Sequence, residues 1–579
     1  MKTALDSVAL REKIISTVSS NGGHLSPSLG AVEIAMALVD VFEPESDRII
    51  WDVGHQAYAW KILTGGRENS FSTIRKHGGL SPFCNPMESP ADAAVSGHAG
   101  TAISVALGMA VARDRNQTTE NVVAVVGDGA IANGTSLEAL NCAIQCNTKL
   151  IVVLNDNKMS ISRSTGAFSR MLARLISGIR YNRVKAAAEK AGHALKLSFL
   201  SNAYHSVKSH VKSFFLGNLY FERFGFRYIG PVDGHDLKAL RDSFTVAKED
   251  KRSVIVHVVT QKGRGFGPAE KNPTAWHGVG PFSRNDAPLS EKSSAGHNTW
   301  SGAFGRILCD LAAKDDKIVA LTAGMTDGTG LEKFARLYPD RFFDVGIAEG
   351  HMVAFAAGLA ARGFKPVVAV YSTFLQRAVD HIMHDVAIAK AGVVFCVDRA
   401  GVVGADGFTH QGLYDIAMLR TLPNVSIAQP KDVASFERLL EGAIQGGRPF
   451  VIRYPRGTVE DDAGEVPAER PQGARFAIWA LGDCYAKAKA VAARMGCELV
   501  YAEMIKPLDR ALLARQRSAG LKIVSIENGA VCGGFGESIG ADIKFGWPDE
   551  FIEHGTVAEL EKKYHLDVDS IIDTIAESL

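Results

Sequence analysis

Val122-Val123-Ala124-Val125-Val126-Gly127-Asp128-Gly129-Ala130 is the stretch on which the reading of the fold turns, together with Leu150-Ile151-Val152-Val153-Leu154-Asn155-Asp156-Asn157. Each is an apolar, largely β-branched run that ends abruptly in acidic, amide and glycine residues. Such runs fit strands buried on both faces of a parallel sheet. The segment between them has helical periodicity and opens with a capping-box pattern at Thr135 and Glu138. The order strand, loop, helix, strand, loop brings both polar tails to the carboxyl ends of neighbouring parallel strands, where open α/β sheets bind ligands. A carboxylate and a side-chain amide converging there suit a hard divalent cation that also holds phosphate oxygens. Asp128 and the side-chain oxygen of Asn157 are the expected ligands, with the backbone carbonyl of Met159 as a third and Mg²⁺ as the ion. The free N–H groups at Gly129 and Ala130 open the next segment and can face phosphate.

Outward from this pair the alternation continues. Val254–Val259 is a further strand and leads into Lys262-Gly263-Arg264-Gly265. A polar stretch at 283–297 reads as a linker. Strands are expected at Phe342–Val345, Val367–Val370, Val393–Val397 and Phe450–Ile452, then at Phe476–Ala480, Glu498–Ala502 and Lys522–Ile526. These give three doubly wound α/β domains, at 1–290, 298–462 and 470–579. Residues 163–225 read as helical, with no clear pattern over 197–213.

The totals agree with a multidomain globular chain. At 579 residues it exceeds what one core supports. A net charge of +1 gives no global attraction to nucleic acid or to an acidic membrane surface. No apolar run approaches the ~20 residues a membrane span needs, and the first residues show no signal-peptide core. Eight scattered cysteines without a CxxC pair point to reduced thiols in a cytoplasmic protein.

Five histidines stand in glycine-rich loops: His24, His55, His98, His277 and His410. Imidazoles there can reach a ligand and move protons near neutral pH. No HxxxH or Cys/His spacing supports zinc. Glu349 follows the strand at Phe342–Val345 through Gly346-Ile347-Ala348 and opens an apolar helix. A carboxylate at that place is electrostatically favourable whether or not it is functional.

Across nearly its whole length the sequence resembles the 1-deoxy-D-xylulose-5-phosphate synthases, thiamine-diphosphate enzymes of the transketolase superfamily. The likeness is carried by Gly22–Gly30, Ile50–Gln56, the Gly127 and Asn155 segments, Tyr228–His235, Lys262–Gly265, His277-Gly278-Val279, Asp344–Glu349, Tyr371–Arg377, Asp398–His410 and Arg453–Gly457. The resemblance implies a transketolase-like fold of diphosphate-binding, pyrimidine-binding and C-terminal domains, and a homodimer. It implies thiamine diphosphate and Mg²⁺ as cofactors. The implied reaction is a decarboxylating condensation of pyruvate with D-glyceraldehyde 3-phosphate, which feeds isoprenoid, thiamine and pyridoxal synthesis. It gives Glu349 the task of engaging the cofactor's aminopyrimidine ring. His24, His55, His277 and His410, with Asp406, would line the reaction centre. His55, Gly97, His98, Ala99, Asp128, Gly129, Ala130, Asn157, Lys262, Phe266, Glu349 and Phe374 would contact the cofactor. Tyr371, Arg399 and Arg456 would hold the acceptor's phosphate, a task to which the forked guanidinium is suited.

The sequence departs from the family pattern at several of these places. Gly350 follows Glu349 where glutamine is usual, Phe408 stands for proline before His410, and Phe266 replaces a tyrosine. Gly97-His98-Ala99-Gly100 lacks two hydroxyls, and Pro27 stands where a small polar residue is usual. These changes surround the substrate and the cofactor's flanks, which leaves a related thiamine-diphosphate transketolase or carboligase as an alternative reading. Retention of Asp128, Asn157 and Glu349 argues against a non-catalytic homologue.

Overall fold

The computed structural model describes residues 5–157, 219–284, 299–464 and 471–578. The chain divides into two compact units, Met1–Ile74 with Pro82–Ser290, and Arg75–Ser81 with Glu291–Leu579.

The first unit is built on a parallel sheet of strands β1 (Arg48–Trp51), β2 (Val122–Gly127), β3 (Ile151–Asp156), β4 (Arg227–Asp233) and β5 (Val254–Val259), in the order β1-β2-β3-β5-β4. Residues Val122–Val126 and Ile151–Leu154 are all buried, which explains why their apolar runs do not alternate. The register sets Gly127 of β2 against Asn155 of β3, and Asp156 against Val259 of β5. The two polar tails and the segment leading to Lys262 therefore leave the sheet side by side.

The helix after β2 does not start on the expected capping box. It spans Gly134–Cys146, and its N-cap is Asn133, whose side chain accepts from the Thr135 N–H. An asparagine two residues earlier caps the free amides first, so Thr135 lies inside the helix. The helical reading of 163–225 lies almost entirely outside the described residues; its described end contains a helix at Leu219–Arg223. Most of the expected linker also lies outside them.

The second unit holds two sheets. Strands β6 (Ile318–Thr322), β7 (Phe342–Asp344), β8 (Lys365–Tyr371), β9 (Val394–Asp398), β10 (Ser426–Ala428) and β11 (Phe450–Arg453) form a parallel array. Strands β12 (Phe476–Leu481), β13 (Glu498–Ala502), β15 (Lys522–Ala530) and β16 (Ile543–Trp547) form the other sheet, also parallel. Between β13 and β15 in sequence, β14 (Met504–Lys506) adds antiparallel to β10, completing a seven-stranded sheet. One face of that sheet packs under helices Trp300–Lys314 and Val433–Gly446. The other packs under Glu349–Ala361 in a core that also takes in Trp479, Val500 and Ile505. Helices on both faces make the sheet doubly wound.

One buried carboxylate ties the first unit's loops to its sheet. Asp52, just past β1, accepts from the Gly100 N–H at 2.9 Å and the Ala102 N–H at 3.2 Å. This fixes the Gly97–Gly100 loop. Asp52→Ala strands those buried donors and is expected to cost about 1–3 kcal/mol. Denaturant unfolding checks it; an unchanged midpoint contradicts it.

Candidate active site

In the first unit the register of β2 and β3 places Asp128 in a buried position, 5% exposed. Burial, and then the charge of Asp156, push its carboxyl up to about 6, with Lys262 opposing. Lys262 is itself buried and lowered to about 8 by loss of hydration, against the attraction of Asp128. Two buried acids and one weakened cation make a set short of positive charge, which fits a divalent ion. Asn157 lies half-buried at the end of this strand. Met159 lies outside the described residues. Asn155 is occupied with structure: its amide donates to Gln56 Oε1 at 2.7 Å and its oxygen accepts from Thr260 Oγ at 2.6 Å. These bonds lash together the loops that carry His55, Asn157 and Lys262.

Three of the expected histidines converge. The His55 and His277 rings stack with centroids 5.3 Å apart. His24 stands edge-on to both, at 6.2 and 5.9 Å. The His24 loop is strapped to the His277 segment by paired backbone bonds between Gly23 and Val279. Burial first, then neighbouring positive groups including Lys262, hold His55 and His277 well below the usual imidazole range. Both are therefore neutral at neutral pH. Each has a buried Nδ1 with no hydrogen-bond partner in the protein, as expected of groups that await a polar ligand. The Phe266 ring meets Trp276, the neighbour of His277, edge-on at 5.1 Å and also leans on Phe282.

In the second unit, Glu349 opens its helix almost fully buried, 3% exposed. The turn before it is held by Asp344, which accepts from the Gly324 and Gly346 N–H groups and from Thr326 Oγ. Burial raises the Glu349 carboxyl, and Arg377 opposes that shift. The nearest Arg377 nitrogen is 3.7 Å from Glu349 Oε2, too far for a hydrogen bond, so this buried oxygen has none. A buried carboxyl shifted toward its protonated form, with an oxygen that accepts no hydrogen bond, is suited to a ring nitrogen of a ligand.

Around it the carboxyl ends of β8, β9 and β11 deliver the remaining candidates. Tyr371 pairs with Asp398 across β8 and β9, and the Arg399 guanidinium lies 3.9 Å over the Tyr371 ring. Arg399 is held in the left-handed region at φ 60°, a strained conformation typical of functional turns. Phe374 stacks on Tyr371 and meets His410 edge-on at 5.6 Å. His410 is lowered to about 4 by burial, with the Asp406 charge opposing. Asp406 accepts from Arg75 at 2.5 Å. Arg75 and its charge, which also reaches Arg456, were not anticipated from sequence. It stands in an ordinary polar stretch, and only folding brings the Arg75–Ser81 segment into this unit.

The structure also accounts for Gly350. A Cβ there would lie 2.6 Å from Cε1 of His381, so the imidazole fills the space that a side chain at 350 would take. Gly328 is constrained similarly, with the Tyr371 hydroxyl occupying the place a Cβ would take.

The comparisons with known proteins fall in line with this arrangement. The profile described as "Transketolase, pyrimidine binding domain" matches residues 297–461, and the 1-deoxy-D-xylulose-5-phosphate synthase profile matches residues 2–260. Similar proteins include the 1-deoxy-D-xylulose-5-phosphate synthases of Desulforudis audaxviator, 44% identical over 99% of this chain and 94% of that protein, and of Oleidesulfovibrio alaskensis, 43% identical over 98% and 94%. The transketolase of Campylobacter jejuni aligns over 99% of this chain with 17% identity and a TM-score of 0.44. By its profile matches and curated relatives the chain is of the transketolase type. More narrowly, it belongs to the 1-deoxy-D-xylulose-5-phosphate synthase family.

Gly350→Gln, which restores the residue usual in the family, forces a side chain into the His381 ring. Overpacking of this kind costs about 1–3 kcal/mol. The variant is expected to melt lower than the wild type, and Gly350→Gln/His381→Ala to regain most of the loss. A single variant as stable as wild type contradicts the assignment.

Proposed function

We propose that the protein condenses pyruvate with D-glyceraldehyde 3-phosphate to give 1-deoxy-D-xylulose 5-phosphate and CO₂, using thiamine diphosphate with Mg²⁺. The observation that carries the mechanism is the buried Glu349 carboxyl with an oxygen that no protein group satisfies. When bound, thiamine diphosphate supplies a carbanion that can add to a carbonyl carbon and accept the electrons left by CO₂. Asp128 and Asn157 would hold the cation, and Lys262 and the N–H groups of Gly129 and Ala130 the diphosphate. Gly97, His98 and Ala99 sit on the loop fixed by Asp52 and would line the cofactor. Glu349, its carboxyl raised by burial, would engage the aminopyrimidine ring, against which Phe374 would pack. His24, with the neutral His55 and His277, would orient the donor's oxygens and take or return protons. His410, beside Asp406, is also neutral and serves the acceptor's carbonyl. Tyr371, Arg399 and Arg456 grip its phosphate.

In this reading 1–290, 298–462 and 470–579 are the diphosphate-binding, pyrimidine-binding and C-terminal domains. The protein acts as a homodimer in the cytoplasm. Free cysteines, five of them buried, support a reducing compartment, and closed two-fold dimers are the commonest assembly. Among the described residues no helix is long and apolar enough to cross a membrane.

Purified protein with Mg²⁺, thiamine diphosphate and both substrates should release CO₂ and a five-carbon ketose phosphate identified by mass; failure of both products overturns the proposal. Glu349→Ala should lower kcat by about 10²–10⁴-fold, and unchanged turnover would exclude its role. Cofactor binding should also depend on pH. Asp128, raised to about 6, must lose its proton to bind Mg²⁺, so affinity falls as pH drops below about 6. Lys262, lowered to about 8, loses its charge above about pH 8, so affinity falls there too. Calorimetry should show a plateau between these limits, and a flat profile from about pH 5 to about pH 9 contradicts it.

A further inference from the structure

Behind the candidate cation site runs a buried polar chain that none of the roles above uses. Asp156 Oδ2 lies 3.1 Å from His257 Nε2, and His257 Nδ1 lies 2.7 Å from the Tyr228 hydroxyl. His257 is fully buried and Asp156 is 2% exposed. All three residues stand on strands of the first unit's sheet: Asp156 ends β3, His257 is in β5 and Tyr228 is in β4. The carboxylate can only accept, so Nε2 carries the proton and donates to Asp156. The Tyr228 hydroxyl then satisfies the other ring nitrogen, and its ring stacks on the buried Phe221 at 6.1 Å. The imidazole is thereby fixed at both nitrogens.

A histidine in the middle of a parallel strand has no packing advantage over valine, and its two neighbours Val256 and Val258 are apolar. What it does is hold a second carboxylate in a position where its charge bears on Asp128. Asn155, one residue earlier, is fixed through Gln56 and Thr260. The end of β3 is therefore clamped on both sides just before Asn157. Held acids of this kind orient metal ligands and raise the negative potential at the ion.

We propose that His257, braced by Tyr228, is a positioning residue that fixes Asp156 as the second negative charge of the Mg²⁺–diphosphate site and so sets its affinity for the cation. This rests on the reading of that site given above. Full-length protein is titrated with Mg²⁺ by calorimetry at a fixed excess of thiamine diphosphate. His257→Ala should raise the Mg²⁺ dissociation constant by about 10–100-fold. In turnover the defect should appear in KM for Mg²⁺ and be relieved as Mg²⁺ saturates. His257→Gln, whose amide N–H can still donate to Asp156, should recover most of the affinity, which a purely space-filling role would not give. An Ala variant with wild-type Mg²⁺ affinity overturns the proposal, as does a Gln variant no better than Ala. If the Ala variant does not fold, Tyr228→Phe decides: Mg²⁺ affinity should weaken with packing retained, and an unchanged value overturns the role. If wild type binds Mg²⁺ and cofactor while the variants bind equally well, only this inference falls. If wild type binds neither, the functional reading falls with it.

Discussion

Two carboxylates buried at the ends of adjacent parallel strands are the constraint around which the first unit is organised. The register of Gly127 against Asn155 brings Asp128 and Asp156 together out of water. Lys262 alone does not neutralise them, and its own ammonium is weakened by the same burial. Removing charges from water is costly unless they are paired. The surrounding bonds keep this arrangement from collapsing: Asn155 is tied at both ends, Asp156 meets His257, and Asp52 holds the facing glycine loop. In the proposed function a divalent ion would supply the missing positive charge, and diphosphate oxygens the remaining ligands.

The second unit follows a different logic. There burial and nearby charges act together on the polar groups. Burial raises the Glu349 carboxyl and lowers the His410 imidazole, each because the charged form loses hydration, against the charges of Arg377 and Asp406. The cations Arg75 and Arg399 stand around them with defined supports, Asp406 for one and the Tyr371 ring for the other. Both residues have left-handed backbones, so their placement is set by the loops as much as by side-chain contacts.

Much of this was legible in the sequence, for physical reasons. Strands such as Val122–Gly127 and Ile151–Asp156 are buried on both sides, so their apolar runs are unbroken and their polar ends conspicuous. The glycine-rich histidine loops and the helix-opening Glu349 could be found the same way. The helix start at Asn133 was missed because a capping pattern two residues on competes with it locally. Arg75, His381 and the Tyr228–His257–Asp156 chain leave no local signal, because each acts through a residue far away in sequence. The departure at Gly350 showed as a missing side chain; that His381 fills its place is visible only in three dimensions.

The central claim is that Asp128 makes the cation site. Direct measurement of Mg²⁺ bound with thiamine diphosphate, by equilibrium dialysis of wild type and Asp128→Ala, tests it without reference to turnover. The account expects one Mg²⁺ retained per cofactor site in the wild type and a loss of at least about tenfold in affinity in the variant. An Asp128→Ala protein that retains Mg²⁺ and cofactor as the wild type does would contradict it.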